Sequence, residues 1–287
     1  MNQIPSSERM PILALRGLTV FPGMTLHFEV GRDKSIQAVE QAIEKNQRIF
    51  LVTQKEILAD DPGEEGLYPL GTISIVKQVL KLPSETLRVL VEGEHRGKIM
   101  AVHQSEPYLY GRVAAVADEE YNAQRPRVEA LVRTARQLFA EFLELSQKSN
   151  SDLMLQLVAT DEPGKTADFL AQHATFSYPD KMRVLEQLHP IRRLELCIKL
   201  FNRELDVLRL EGELSSKVQE SMSQNQRDYF LREQLKVIRD ELGEGEDENE
   251  DTTYLSKIRK LNLPEEISAK LEKEVSRLQK QPPGSSE

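Results

Sequence analysis

"GTISIVKQVLKLPSETLRVLVEGEHRGKIMAV", residues 71–102, decides the fold of the first part of this chain. Two long runs, 71–82 and 86–102, flank Pro83-Ser84-Glu85, and that tripeptide carries turn chemistry, so the pair reads as a hairpin of long strands. In 86–91, Leu87, Val89 and Val91 hold the alternation of a strand with one buried face, while Leu90 adds some burial on the other. Shorter runs surround the hairpin: "PILAL" (11–15), "TLHFEV" (25–30), "RIFLVTQK" (48–55) and "YLYGRVAAVAD" (108–118). One helix interrupts them, "DKSIQAVEQAIEKNQ", with Ile36, Val39 and Ile43 on one face. Strands with short turns and one crossing helix predict a partly open barrel or a pair of packed sheets.

The period then becomes helical. "RVEALVRTARQLFAEFLELSQ" repeats Val128, Leu131, Ala135, Leu138, Phe142 and Leu145 at three and four. Shorter helices follow over 150–160, 164–175 and 179–189. Pro126, Pro163, Pro179 and Pro190 fall near helix starts, where a missing N–H costs nothing. From Ile191 to Leu242 there is no proline, and a continuous helix there would run about 78 Å. Gly212 either kinks it or is carried through. Its middle, "SSKVQESMSQNQRD", has only Val218 and Met222 as apolar residues, which suits a solvent-bridging spacer or one side of a sparse coiled coil. Leu231, Leu235, Ile238 and Leu242 restore an apolar stripe, a candidate surface for association between copies. "GEGEDENEDTT" (243–253) reads as a solvated acidic linker. Two short amphipathic helices are expected after it, the second starting at Pro264. The closing "QPPGSSE" completes no core element and reads as a cut.

The expected class is therefore α+β. A β-rich lobe spans 1–118, a helical bundle 119–190, one very long helix 191–242, and an acidic linker with short helices 243–287.

The chain has 287 residues, a formal charge of −9 and one cysteine, Cys197. Such a balance, without a basic cluster, argues against nucleic acid as the main partner, leaving only a local basic face such as Arg192-Arg193. There is no disulfide framework and no cysteine-rich metal site. The N-terminal stretch lacks a signal-peptide pattern, and no run of 18 apolar residues exists, so no membrane partner is expected and a soluble cytoplasmic protein is.

Gly164-Lys165-Thr166 has the ending of a phosphate-binding loop, which needs G-x-x-x-x-G-K-[ST]. Ala159 stands where the first glycine belongs, and Pro163 has no N–H to offer a phosphate. The tripeptide reads as the start of a helix. His27, His95, His103, His173 and His189 never take zinc spacing, and no serine sits in G-x-S-x-G. No catalytic residue, cofactor site or metal site is expected.

"LTVFPGMTLHF" places Val20, Phe21, Pro22, Gly23 and Met24 at a turn between strands. Turn tips are normally polar. An apolar tip is either tucked under a neighbour or exposed as a docking surface for apolar peptide, and Phe and Met suit shape-tolerant contact. Phe21, Pro22 and Met24 are thus candidate substrate-binding residues, with core packing as the competing reading.

Four blocks resemble, in order, the bacterial Lon ATP-dependent protease family: "MPILALRGLTVFPGMTLHFEVGRDKSI", "GTISIVKQVLKLPSETLRVLVEGEHRGKI", "DEPGKTADFLAQHA" and "SQNQRDYFLREQLKVIRDELGEGEDENED". The resemblance runs from about residue 10 to residue 280 and implies the N-terminal region of such a protease. In the family this region leads into an AAA+ module, and the Walker motifs and Ser-Lys peptidase dyad lie downstream. ATP and Mg2+ would then belong to the parent, and this stretch would have no catalysis of its own. The implied role is recruitment of unfolded or damaged proteins to a homohexameric machine. A recruiting module needs weak apolar contacts with many chains, repeated for avidity. Other expectations are a spacer and association element, the fragment itself dimeric, or, against the acidic balance, a nucleic-acid binder.

Overall fold

A computed structural model describes residues 7–121, 125–146, 151–241, 257–261 and 264–278. Six strands are present: β1 (Ser7–Leu15), β2 (Thr25–Val30), β3 (Arg48–Thr53), β4 (Leu70–Lys81), β5 (Leu87–Gln104) and β6 (Tyr110–Ala115). Their order is β2-β5-β4-β3-β1-β6, and a further β5–β6 pairing closes β5, β4, β3, β1 and β6 into a ring. The 18-residue β5 makes this possible. Its first part, Leu87–Glu92, pairs with β2, and its second part, from Gly97 to Gln104, pairs with β6. The sheet is thus a barrel at one end and open at the other, where β2 stands beside β5 as an edge strand.

The hairpin turn forms where the sequence places it. Leu82 N–H donates to Thr86 O at 2.9 Å, and Glu85 takes φ 59°. β1 and β3 run parallel, joined by a path through β2 and helix α1 (Asp33–Lys45). Both strands are buried on two faces. Met10, Ile12, Phe50 and Val52 pack in one cluster, while Leu13, Leu15, Ile49 and Leu51 pack with Val39 and Ala42 of α1 in another. Two-sided burial is why "PILAL" and "IFLV" (49–52) are apolar throughout rather than alternating. Phe50 fills space that glycine leaves: a Cβ on Gly97 would lie 2.8 Å from its ring.

The helices are α2 (Arg125–Leu145), α3 (Ser151–Val158), α4 (Pro163–His173), α5 (Tyr178–Glu186), α6 (Pro190–Glu241) and α7 (Glu265–Leu278). Pro163 and Pro190 begin their helices, and Pro126 and Pro179 follow one residue in, as the lost N–H favours. The helical core is aromatic at its centre. Phe142 and Phe201 meet edge to face with centroids 5.5 Å apart, and Phe176 and Phe201 at 4.8 Å.

The chain divides into two compact units, Met1–Glu211 and Gly212–Glu287. The lobe expected over 1–118 and the bundle expected over 119–190 lie together in the first unit. α6 is one helix of 52 residues, carried through Gly212, whose surroundings are open. The acidic stretch 243–253 lies outside the described residues.

Candidate functional site

Phe21 is where the sequence expectation and the structure part. Its side chain is 0% exposed and belongs to the helical core, with Phe139, Leu170, Ala171 and Leu200 in the same cluster. The turn that carries it is pinned from both sides. Gln172 of α4 donates to Pro22 O at 3.3 Å, and Gly93 of β5 pairs with the turn, donating to Met24 O at 2.9 Å. The direct substrate contact expected of Phe21 is therefore corrected: the apolar tip is tucked under the helices because a fully buried phenylalanine ring stabilises by up to about 3 kcal/mol. Pro22 and Met24 remain half-buried, Met24 touching both the helical cluster and the cluster under β2.

The same interface holds a charged network that the sequence does not announce. Arg96 of β5 donates from Nη1 and Nη2 to Asp168 of α4 at 2.9 and 2.6 Å, and from Nε to Leu185 O at 2.9 Å. Arg193 of α6, with no exposed surface, donates two hydrogen bonds of 2.8 and 2.6 Å to Asp118. Its Nε lies 3.2 Å from Asp168 Oδ1 without the alignment of a hydrogen bond. Burial pushes the Asp168 carboxyl up, against the pull of Arg96 and Arg193, while Asp118 holds the Arg193 guanidinium above its ordinary value despite its burial. Removing either partner of such a pair leaves a bare buried charge, a loss of about 3–5 kcal/mol. Arg193 is thus a buried anchor, not half of a basic face with Arg192. One signal in the sequence points to it: Asp168 sits among Ala167, Leu170 and Ala171 on the apolar side of its helix.

Gly164-Lys165-Thr166 has its explanation here too. A Cβ on Gly164 would lie 2.5 Å from Arg193 Nη2, so the glycine makes room for a guanidinium. The Thr166 hydroxyl donates to Glu162 O at 2.9 Å inside the first turn of α4. These residues start a helix, with the Lys165 ammonium in an exposed ion pair with Glu162 at 2.9 Å.

No reactive group emerges among the described residues. They contain no cluster of three metal-ligating side chains. Cys197 is fully buried, and burial pushes its thiol far up, which makes it a packing group. Burial and Lys181 lower the His173 imidazole. No described helix is long and apolar enough to cross a membrane.

What is open lies elsewhere. A slot of about 420 Å3 runs between the end of β1 and β2, lined by Leu13, Leu15, Leu18, Phe28 and Arg32 among others. Arg32, Ala14 and Gly31 also line a second cavity of about 360 Å3 that reaches Asp60 and Asp61. On α6, Leu231, Leu235 and Ile238 are 47%, 55% and 52% exposed, and Leu214, Val218, Met222 and Phe230 are exposed as well. Leu242, the fourth expected association residue, lies outside the described residues.

The comparisons with known proteins agree on one family. The model of the ATP-dependent protease La (LON) substrate-binding domain matches residues 9–203. The Lon protease of Heliobacterium modesticaldum is 40% identical over 277 residues, covering 96% of this chain and 34% of that protein. That of Brevibacillus choshinensis is 39% identical over 288 residues, covering 100% of this chain and 37% of that protein. The chain thus spans about a third of the length of these relatives. The solved N-terminal domain of Mycobacterium avium complex Lon protease superposes with a TM-score of 0.56 at 19% identity, covering 68% of this chain and 98% of that domain. That likeness supports the fold of a barrel followed by helices, and over residues 9–203 the chain belongs to the ATP-dependent protease La (LON) substrate-binding domain family.

Proposed function

We propose that this chain recruits unfolded or damaged proteins to an ATP-dependent protease whose motor and peptidase lie in a longer protein. The family match over the barrel and bundle carries this reading, since that family is described by substrate binding. ATP, Mg2+ and a Ser-Lys peptidase dyad are assigned to that longer protein. The second element of the proposal is association of copies, up to the hexamer of a ring-shaped machine. The exposed Leu231, Leu235 and Ile238 at spacings of four and three support it, because an isolated helix gains little by presenting large apolar side chains to water. Several weak sites held together would gain affinity by effective concentration.

The test is a titration of the chain, without nucleotide, against one labelled protein in folded and permanently unfolded forms. Binding of the unfolded form alone is expected. Equal binding of both forms, or of neither, would sink the recruiting role. Sedimentation of the same samples reports association, and replacing Leu231, Leu235 and Ile238 by serine is expected to abolish it.

A further inference from the structure

We propose that an extended segment of an unfolded polypeptide binds by adding a strand to the free edge of β2, in the slot between β2 and the end of β1. The proposal rests on the recruiting function above and says how the recruited chain is held.

Among the described residues, β2 pairs along one edge only, with β5. Backbone groups of successive strand residues point to alternate edges. Met24 O accepts from Gly93 on the β5 side, and the register continues without a bulge, so Leu26, Phe28 and Val30 bond to β5. The N–H and C=O groups of Thr25, His27 and Glu29 consequently face outward, and all three residues are exposed. Across the slot, Leu15 O accepts from Gln54 on the β3 side at 2.9 Å, which turns the groups of Ala14 toward the slot. Arg32 already occupies that side, donating to Ala14 O, to Gln54 Oε1 at 3.1 Å and to Asp60 O at 3.0 Å. The β1 side is therefore closed by a guanidinium, and the β2 side is the open one.

Natural edge strands are usually guarded by proline, lysine, a bulge or a covering segment. β2 has neither proline nor lysine, no bulge, and one charged residue, Glu29, which is drawn sideways to Arg88 at 2.6 Å. Unpaired donors and acceptors at strand spacing match one kind of occupant, an extended backbone whose own groups are free. Unfolded chains have such groups, and folded proteins have already used theirs. Main-chain pairing ignores sequence, as a receptor for many substrates requires. Leu18 and Phe28, which line the slot, offer apolar contact to the side chains of the added strand that point inward.

The test uses proline as a probe of the edge. His27→Pro removes an outward N–H and sets a ring in the path of the added strand, while breaking no bond to β5. His27→Ala keeps the N–H. The probe ligand is a short labelled peptide of alternating valine and threonine with one lysine for solubility, used with and without N-methylation of every amide. His27→Pro is expected to weaken binding at least about tenfold, His27→Ala to leave it within about twofold, and N-methylation to match the proline loss. Undiminished binding of the N-methylated peptide by the unaltered chain overturns the proposal, and so does full affinity in folded His27→Pro. If His27→Pro fails to fold, the N-methylated arm decides. A proline variant that loses only self-association also overturns it, in favour of β2 pairing between copies. If the unaltered chain binds neither the peptide nor the unfolded protein, the recruiting role falls first and this proposal with it. If it binds the unfolded protein but not the peptide, recruitment stands and strand addition alone is overturned.

Discussion

The two halves of α6 both carry apolar residues at helical spacing, more densely in the first, and those residues meet different fates. In the first, Leu194, Cys197, Leu200, Phe201 and Leu205 recur at three and four and are buried against α2, α4 and α5 in the helical core. In the second, Leu214, Val218, Met222, Leu231, Leu235 and Ile238 recur at similar spacings and are exposed. Periodicity says that a helix has an apolar face; what covers that face depends on the neighbours, and among the described residues the first half is covered while the second is exposed. The first half belongs to the core, and the second presents its apolar residues to solvent.

That contrast breaks most easily at the charged anchor of the first half. Asp168→Ala leaves Arg96 and Arg193 buried without their shared carboxylate, and urea unfolding is expected to show a loss of about 3–5 kcal/mol. A loss below about 1 kcal/mol would mean that the network is not what joins barrel, α4 and α6.

A paired truncation sharpens the comparison. Phe21→Ala is expected to cost about 3–5 kcal/mol by opening a cavity in the helical core. Leu235→Ala, removing a side chain of similar character, is expected to change stability by no more than about 0.5 kcal/mol. Equal losses would show that Leu235 is packed in the monomer and would end the association reading.

The smallest effect is one of pH. Asp180 is held below its ordinary value: burial alone would raise it, but Arg203, Ser177 and Arg183 outweigh that. A depressed carboxyl contributes stability that is complete above about pH 3.9 and is lost as pH falls through its lower folded value. Asp180→Asn should therefore lower stability at neutral pH and flatten its decline in acid, read as a shallower midpoint-against-pH curve. An unchanged slope would remove Asp180 from the account.

Much of the fold was legible because its signals are local. The long hairpin, the single helix among strands, the prolines at helix starts and the long proline-free stretch each follow from neighbours in sequence. The choice between a partly open barrel and packed sheets was not, since closure depends on β5 being long enough to pair with β2 and then with β6, far apart in the chain. The candidate site was less legible still. Phe21 at a turn left a tucked and an exposed tip both open, because nothing in the segment shows that α4 lies over it. Arg96, Asp118, Asp168 and Arg193 are spread over 98 residues and are recognisable as a cluster only when folded. A free strand edge leaves no residue pattern, because backbone groups are the same everywhere.

The central claim is that recruitment uses the free edge of β2 and spares the buried interface. Amide hydrogen exchange of the whole chain, with and without a saturating unfolded protein, tests it most directly. New protection is expected at Thr25, His27 and Glu29, with none added around Phe21 or across Leu194–Leu205. Protection that appears only along the second half of α6, or loss of protection around Phe21 as the helices part to admit substrate, would contradict it.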